Sequence, residues 1–264
     1  MTDMKKVTSK DRTPIAYNQI GNGQPVILVD GALCSSVMGP MPELAPLLAK
    51  HFTVIYYDRR GRNESGDTKP YAVEREIEDI DALIQVAGGS AYLFGTSSGA
   101  ALALAATAKG LNISKLALYE PPFMIDKNGH HVPVNYHQQL SSYIEQDRRG
   151  DAIKYFMRDG IGVPSIFVFM MQLMPVWSKL KAVAHTLPYD AAVMGDFSLP
   201  VKQAAAIKIP TLVAGGEKSQ RWLHTATRQL AKELDQYEFK MLKGQNHNVS
   251  VKVLAPLLME FFMK

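Results

Sequence analysis

Ten residues, Ala91-Tyr92-Leu93-Phe94-Gly95-Thr96-Ser97-Ser98-Gly99-Ala100, constrain this chain more than any other stretch. They read as a short apolar strand, a tight turn with Ser97 at its tip, and a small-residue helix. This is the pattern of a nucleophile elbow, a strained turn that lifts a serine hydroxyl above a sheet. Such a backbone costs about 1–3 kcal/mol and persists only where its surroundings hold it. Side chains two positions either side of the serine would collide with the turn. Gly95 and Gly99 carry none, and glycine accepts unusual φ values. The following helix points its free N–H groups at whatever Ser97 attacks. Glycine-rich turns are common, so the motif gains its weight from the strand before it, the helix after it and a late histidine.

The pattern on either side is an alternation of strands and helices. Two short strands are expected over residues 5–9 and 14–20, around a Lys10-Asp11-Arg12-Thr13 turn. Pro25 to Val29 is a continuous apolar run, as in a strand covered on both faces of a parallel sheet. It leads into Asp30-Gly31-Ala32-Leu33, a loop at the strand end where open α/β sheets bind ligands. A helix over 42–50 and a strand over 52–57 follow. The polar turn Asp58-Arg59-Arg60-Gly61-Arg62-Asn63-Glu64-Ser65-Gly66 then reads as scaffolding laced by internal ion pairs. Over 71–87 the apolar residues Val73, Ile77, Ile80 and Ile84 form one helical stripe, with Glu74, Glu76, Glu78 and Asp81 off it. The elbow strand covers 91–94 and its alanine-dense helix 98–109. A strand over 113–119 ends at Glu120-Pro121-Pro122, where the prolines stop both ladder and helix.

From 123 to 205 no good strand is seen. Helical stretches near 134–147, 150–159 and 164–182 are rich in aromatics and methionine. The expectation is a helical cap whose underside faces the strand tips, with Phe123, Phe167, Met170, Met171, Met174 and Trp177 lining an apolar pocket. Alternation resumes with a strand over 209–214, a helix over 222–234, a strand over 236–242, the Gly244-Gln245-Asn246-His247 loop and a helix over 249–263. The domain reading is therefore a core of 1–122 and 206–264 with a cap of 123–205.

The 264 residues, 47% apolar and 20% charged, suit one large α/β domain. The formal charge of +4 is spread out, with no basic run beyond two arginine pairs, so nucleic acid is not an expected partner. A single cysteine, Cys34, precludes an internal disulfide and fits a reducing, cytoplasmic setting; it reads as a small buried apolar residue. No leader-like start and no membrane-length apolar run is read. The histidines lack metal-ligand spacing, and no phosphate- or dinucleotide-binding glycine motif is present. No metal and no cofactor is expected, and a monomer or homodimer is.

These motifs, in this order and spacing, resemble those of the α/β-hydrolase fold across nearly the whole chain. The residues that carry the likeness are Val29-Asp30-Gly31-Ala32, Asp58 to Ser65, Gly95-Thr96-Ser97-Ser98-Gly99 and Gly244-Gln245-Asn246-His247. The resemblance implies a mostly parallel eight-stranded sheet with helices on both faces and a helical cap after the sixth strand. It implies Ser97 as nucleophile and His247 as general base. It implies an oxyanion hole from the backbone N–H of Ser98 and of Ala32 or Leu33. Three positions depart from the common pattern. Asp30 replaces a frequent histidine, and Asn63 a frequent glycine. Ser219 stands where the acid after the seventh strand is usual. Certain haloalkane dehalogenases carry the acid as Glu at the tip of the sixth strand, and Glu120 matches that arrangement; Glu217 is the alternative.

The expected activity is hydrolysis of a small to medium, fairly apolar ester, thioester or lactone through an acyl-enzyme. Carbon–carbon bond hydrolysis or cofactor-free perhydrolysis would use the same triad. A non-catalytic small-ligand receptor on this scaffold is the remaining alternative.

Overall fold

Strand β3 (Gln24–Val29) shows how the sheet is covered. Its side chains alternate between two separate cores: Ile27 and Val29 enter one, Val26 and Leu28 the other. Each is fully buried, which contributes about 1.5–3 kcal/mol per side chain. The remaining strands are β1 (Lys5–Thr8), β2 (Pro14–Ile20), β4 (Phe52–Tyr57), β5 (Ala91–Thr96), β6 (Ile113–Tyr119), β7 (Thr211–Gly216) and β8 (Tyr237–Leu242). They form one sheet in the order β1-β2-β4-β3-β5-β6-β7-β8. The β1–β2 and β2–β4 pairs are antiparallel and the others parallel. The computed structural model describes residues 4–125 and 130–264.

Helices α1 (Met41–Leu48) and α11 (Val251–Met263) cover one sheet face. Helices α2 (Val73–Val86), α3 (Ser98–Ala108) and α10 (Arg221–Glu233) cover the other. The alanines of α3 let it lie close to β5 and β6. Strand β7 starts two residues later than expected, because Pro210 has no N–H to donate, and it runs on to Gly216 beside Leu242.

Between β6 and β7 the regular elements among the described residues are helical: α4 (Tyr136–Glu145), α5 (Arg149–Tyr155), a π-turn (Phe156–Gly160), α6 (Ser165–Gln172), α7 (Val176–Val183), α8 (Leu187–Met194) and α9 (Val201–Ala206). The single helix expected over 164–182 is broken into α6 and α7. The chain bends by 101° there, at Leu173-Met174-Pro175. Helix α8, which the sequence reading did not pick out, packs on α3 and α4.

Candidate active site

Ser97 sits between β5 and α3 with φ 55° and ψ −129°, a backbone that non-glycine residues rarely adopt. Both flanking glycines are required by close approach. A Cβ on Gly95 would overlap the Gly99 carbonyl oxygen and lie 2.7 Å from the Ala100 Cα. A Cβ on Gly99 would strike the carbonyl oxygens of Val29 and Asp30. The obstacle at Gly99 is therefore the end of the neighbouring strand, not the turn itself. Gly99→Ala is expected to cost about 2 kcal/mol or more, since both opposing groups are backbone. Thermal melts should show Tm lowered by about 5 °C or more; an unchanged Tm would contradict the contact.

The next strand supplies the partner of His247. Ser97 N–H donates to the Tyr119 carbonyl at 2.9 Å, tying the elbow to the tip of β6. One residue on, Glu120 takes φ 45° and is fully buried. Its Oε1 accepts the Gly216 N–H at 2.7 Å, and its Oε2 lies 2.8 Å from His247 Nδ1. His247 Nε2 is 3.2 Å from Ser97 Oγ. With Nδ1–H donating to the carboxylate, Nε2 is left to accept the serine proton. The histidine loop is held by the Tyr119 hydroxyl, which donates to the Asn246 carbonyl at 2.7 Å, and by Lys218 N–H on the Gln245 carbonyl at 2.7 Å. Gly216 permits this approach, because a Cβ there would meet Gln245 O at 2.5 Å. Glu217 is exposed at the tip of β7, and Glu120, not Glu217, stands beside His247.

A cavity of about 30 Å³ opens beside Ser97, room for one or two waters. Ala32, Ser97 and Ser98 contribute to its wall, and Tyr136, Phe156, Ile161, Met194 and Phe197 enclose it. Leu33 is not on the wall; at φ 60° it is buried in the core. The expected pocket residues also lie elsewhere. Phe123 is buried in the core, and Met171 and Trp177 pack part-buried against it. Phe167, Met170 and Met174 are 57%, 55% and 55% exposed. Helix α6 is apolar all round, so periodicity alone does not select an inward face. The lining comes instead from α4, α8, the chain just after α8 and the π-turn. The π-turn brings Gly160 so close to the Tyr136 hydroxyl that a Cβ there would force the tyrosine ring to shift.

Beneath the cavity lies a buried charge network. Arg59 pairs with Glu76 on α2 and with Asp190 on α8, and Arg62 with the other oxygen of Asp190. Arg60 pairs with Asp79 and Asp11. The turn is scaffolding as expected, but its partners lie outside it. Glu76, off the apolar stripe, is nonetheless turned inward to meet a guanidinium. Burial pushes the Asp190 carboxyl up, but Arg62 and Arg59 outweigh it and hold it below its ordinary value.

Asp30 differs. Its carboxyl oxygens have no well-aligned hydrogen-bond donor among the described residues, and burial pushes it up to about 8 despite Arg62 and Arg59. From about pH 4 to 8 the unfolded chain gives up this proton while the folded one keeps it, so Asp30 destabilises the fold as pH rises. Asp30→Asn should therefore raise stability more at pH 8.5 than at pH 5, read by denaturant unfolding. An equal gain at both would contradict the assignment. Burial likewise pushes the Cys34 thiol up, leaving no thiolate nucleophile near neutral pH. Among the described residues no group of three or more His, Cys, Asp or Glu side chains is arranged to hold a metal ion. No single described helix is long and apolar enough to cross a membrane.

Residues 28–253 match the model of the alpha/beta hydrolase family. The chain is similar to an alpha/beta hydrolase from Sphaerobacter thermophilus DSM 20745, at 50% identity and a TM-score of 0.93, over 98% of this chain and 100% of that one. An uncharacterised hydrolase, YraK, of Bacillus subtilis (strain 168) is 26% identical over 84% of this chain and 82% of its own length. A thermophilic esterase from Thermogutta terrifontis shares the fold at 19% identity and a TM-score of 0.71, over 99% of this chain and 98% of that one.

Proposed function

Because this chain belongs to the alpha/beta hydrolase family, we propose that it is a serine hydrolase acting on a short, fairly apolar acyl ester, thioester or lactone. The observation that carries this reading is the placement of His247, with Nε2 3.2 Å from Ser97 Oγ and Nδ1 2.8 Å from the buried Glu120. Ser97 Oγ attacks the acyl carbonyl while His247 Nε2 takes its proton. The tetrahedral oxyanion is met by the backbone N–H of Ser98 and of Ala32, both beside the nucleophile. The imidazolium, steadied by Glu120, returns its proton to the departing alcohol or thiol. Water, activated by the same Nε2, then releases the acid from Ser97. These steps call on no cofactor.

The small apolar cavity supports an acyl group about the size of acetyl or propionyl and disfavours long chains. On p-nitrophenyl esters, kcat/KM should be highest for acetate or propionate and fall by octanoate. A fluorophosphonate probe should place one adduct on Ser97, located by mass spectrometry. An adduct elsewhere, or activity rising with chain length, would overturn the nucleophile or the size reading respectively.

A further inference from the structure

We infer that Asp190, which reaches the site from α8, is a positioning residue that clamps both halves of the oxyanion hole; this rests on the serine-hydrolase reading of Ser97. The two backbone donors come from separate segments, the elbow and the loop after β3. Oxyanion donors act through preorganised geometry, so something must hold those segments in register. Ser98 Oγ donates to Asp190 Oδ1 at 2.7 Å, which fixes the elbow side. Arg59 Nη1 donates to that same oxygen at 2.6 Å and reaches the Asp30 carbonyl at 3.3 Å. Arg62 Nη2 donates to Asp190 Oδ2 at 2.8 Å, while its Nη1 donates to the carbonyls of Gly31 at 2.6 Å and Cys34 at 3.1 Å. The carbonyls before and after Ala32 and Leu33 thus hang from two guanidinium groups that share one carboxylate with Ser98. All four side-chain bearers are at most 4% exposed, so water offers no substitute partner.

Asp190→Asn and Ser98→Ala test this on a short-chain ester. Ser98→Ala removes one hydrogen bond while keeping the backbone N–H and the arginine pairs, so it folds even if the asparagine variant does not. We expect kcat to fall about ten- to a hundredfold in Asp190→Asn and about three- to tenfold in Ser98→Ala, with KM within about twofold. Fluorophosphonate labelling of Ser97 should slow in parallel. A purely structural role would lower Tm but leave kcat per labelled site unchanged, which overturns the clamp. Wild-type turnover with Ser98→Ala kcat inside twofold also overturns it, leaving the hydrolase reading standing. Absence of ester turnover in the wild type would remove both.

A second inference rests on an independent feature, the outer face of the cap. Ile166, Phe167, Phe169, Met170, Leu173 and Met174 are 55–76% exposed on and just after α6. Residues 160–178 contain no charged side chain. We propose that this face is the contact between two copies of this chain. The six side chains present about 700 Å² per copy, beyond the roughly 300–600 Å² of the largest patch on a typical monomer and near the 800 Å² each partner gives a standard interface. An uncharged patch can meet itself across a two-fold axis without like-charge repulsion. Helices that lie on membranes carry a basic polar face, which α6 lacks. Sedimentation velocity at micromolar concentration should show a dimer for the wild type and a monomer for Phe169→Glu with Leu173→Glu. A monomeric wild type overturns the proposal, as does co-flotation of the wild type, but not the double variant, with phosphatidylcholine vesicles.

Discussion

Ser97→Ala is expected to lower kcat on a short-chain ester by at least about 10⁴-fold, while the protein stays folded. The variant removes the hydroxyl proposed to attack and leaves everything that holds the elbow: the Ser97 N–H bond to Tyr119, the Glu120–His247 pair and the two glycine contacts. Alanine at φ 55° meets the same backbone strain as serine, so Tm should move by no more than about 2 °C. What survives is the rate supplied by the oxyanion donors and by binding alone. Turnover that persisted near the wild-type rate would mean that Ser97 is not the nucleophile.

The second large effect is expected at Glu120. Its two oxygens have different tasks, one accepting the Gly216 N–H and one facing His247 Nδ1. A glutamine can keep only one of them. If its carbonyl stays on Gly216, its NH₂ faces Nδ1, which must then accept, and the ring proton moves to Nε2. That tautomer presents a donor to Ser97 where an acceptor is needed. If the amide flips, its NH₂ opposes the buried Gly216 N–H, which is left unpaired. Either way Glu120→Gln should reduce kcat by about 10³- to 10⁴-fold. Glu217→Gln, at an exposed position, should remain within about twofold. Side-by-side kinetics decide the acid: a loss confined to the Glu217 variant would reverse the assignment.

The sheet and the residues it carries were legible in the sequence because their signals are local. A glycine pair around a serine, two prolines after a strand and a glycine before a late histidine each mark one chain position. Their spatial meeting follows from the strand order. The cavity wall was not legible for the opposite reason. Along α6 nearly every side chain is apolar, so neither face is marked as inner, and the dense cluster at Phe167, Met170 and Met174 turned out to face outward. The wall residues Tyr136, Met194 and Phe197 are scattered over three places and belong to no motif. Asp190 was equally silent, one acid between Tyr189 and a pair of alanines. Its signal lay in a deficit elsewhere: three arginines clustered in one turn require more carboxylate than that turn contains.

The attachment of Asp190 to Arg59 and Arg62 also limits how such chains can be recombined. The sheet carries Ser97, Glu120 and His247 on its own, so the inserted helices look like a cassette that could be exchanged to change selectivity. They are not one. Replacing residues 123–205 with a foreign insertion would leave Arg62 buried without its carboxylate and Arg59 with Glu76 alone, a loss of about 3–5 kcal/mol unless the graft brings an acid to the same spot. Helix α8 and the arginine turn therefore have to be transplanted together, and a chimera designer should place the crossover points in α4 to α7 and keep Leu187–Met194 native.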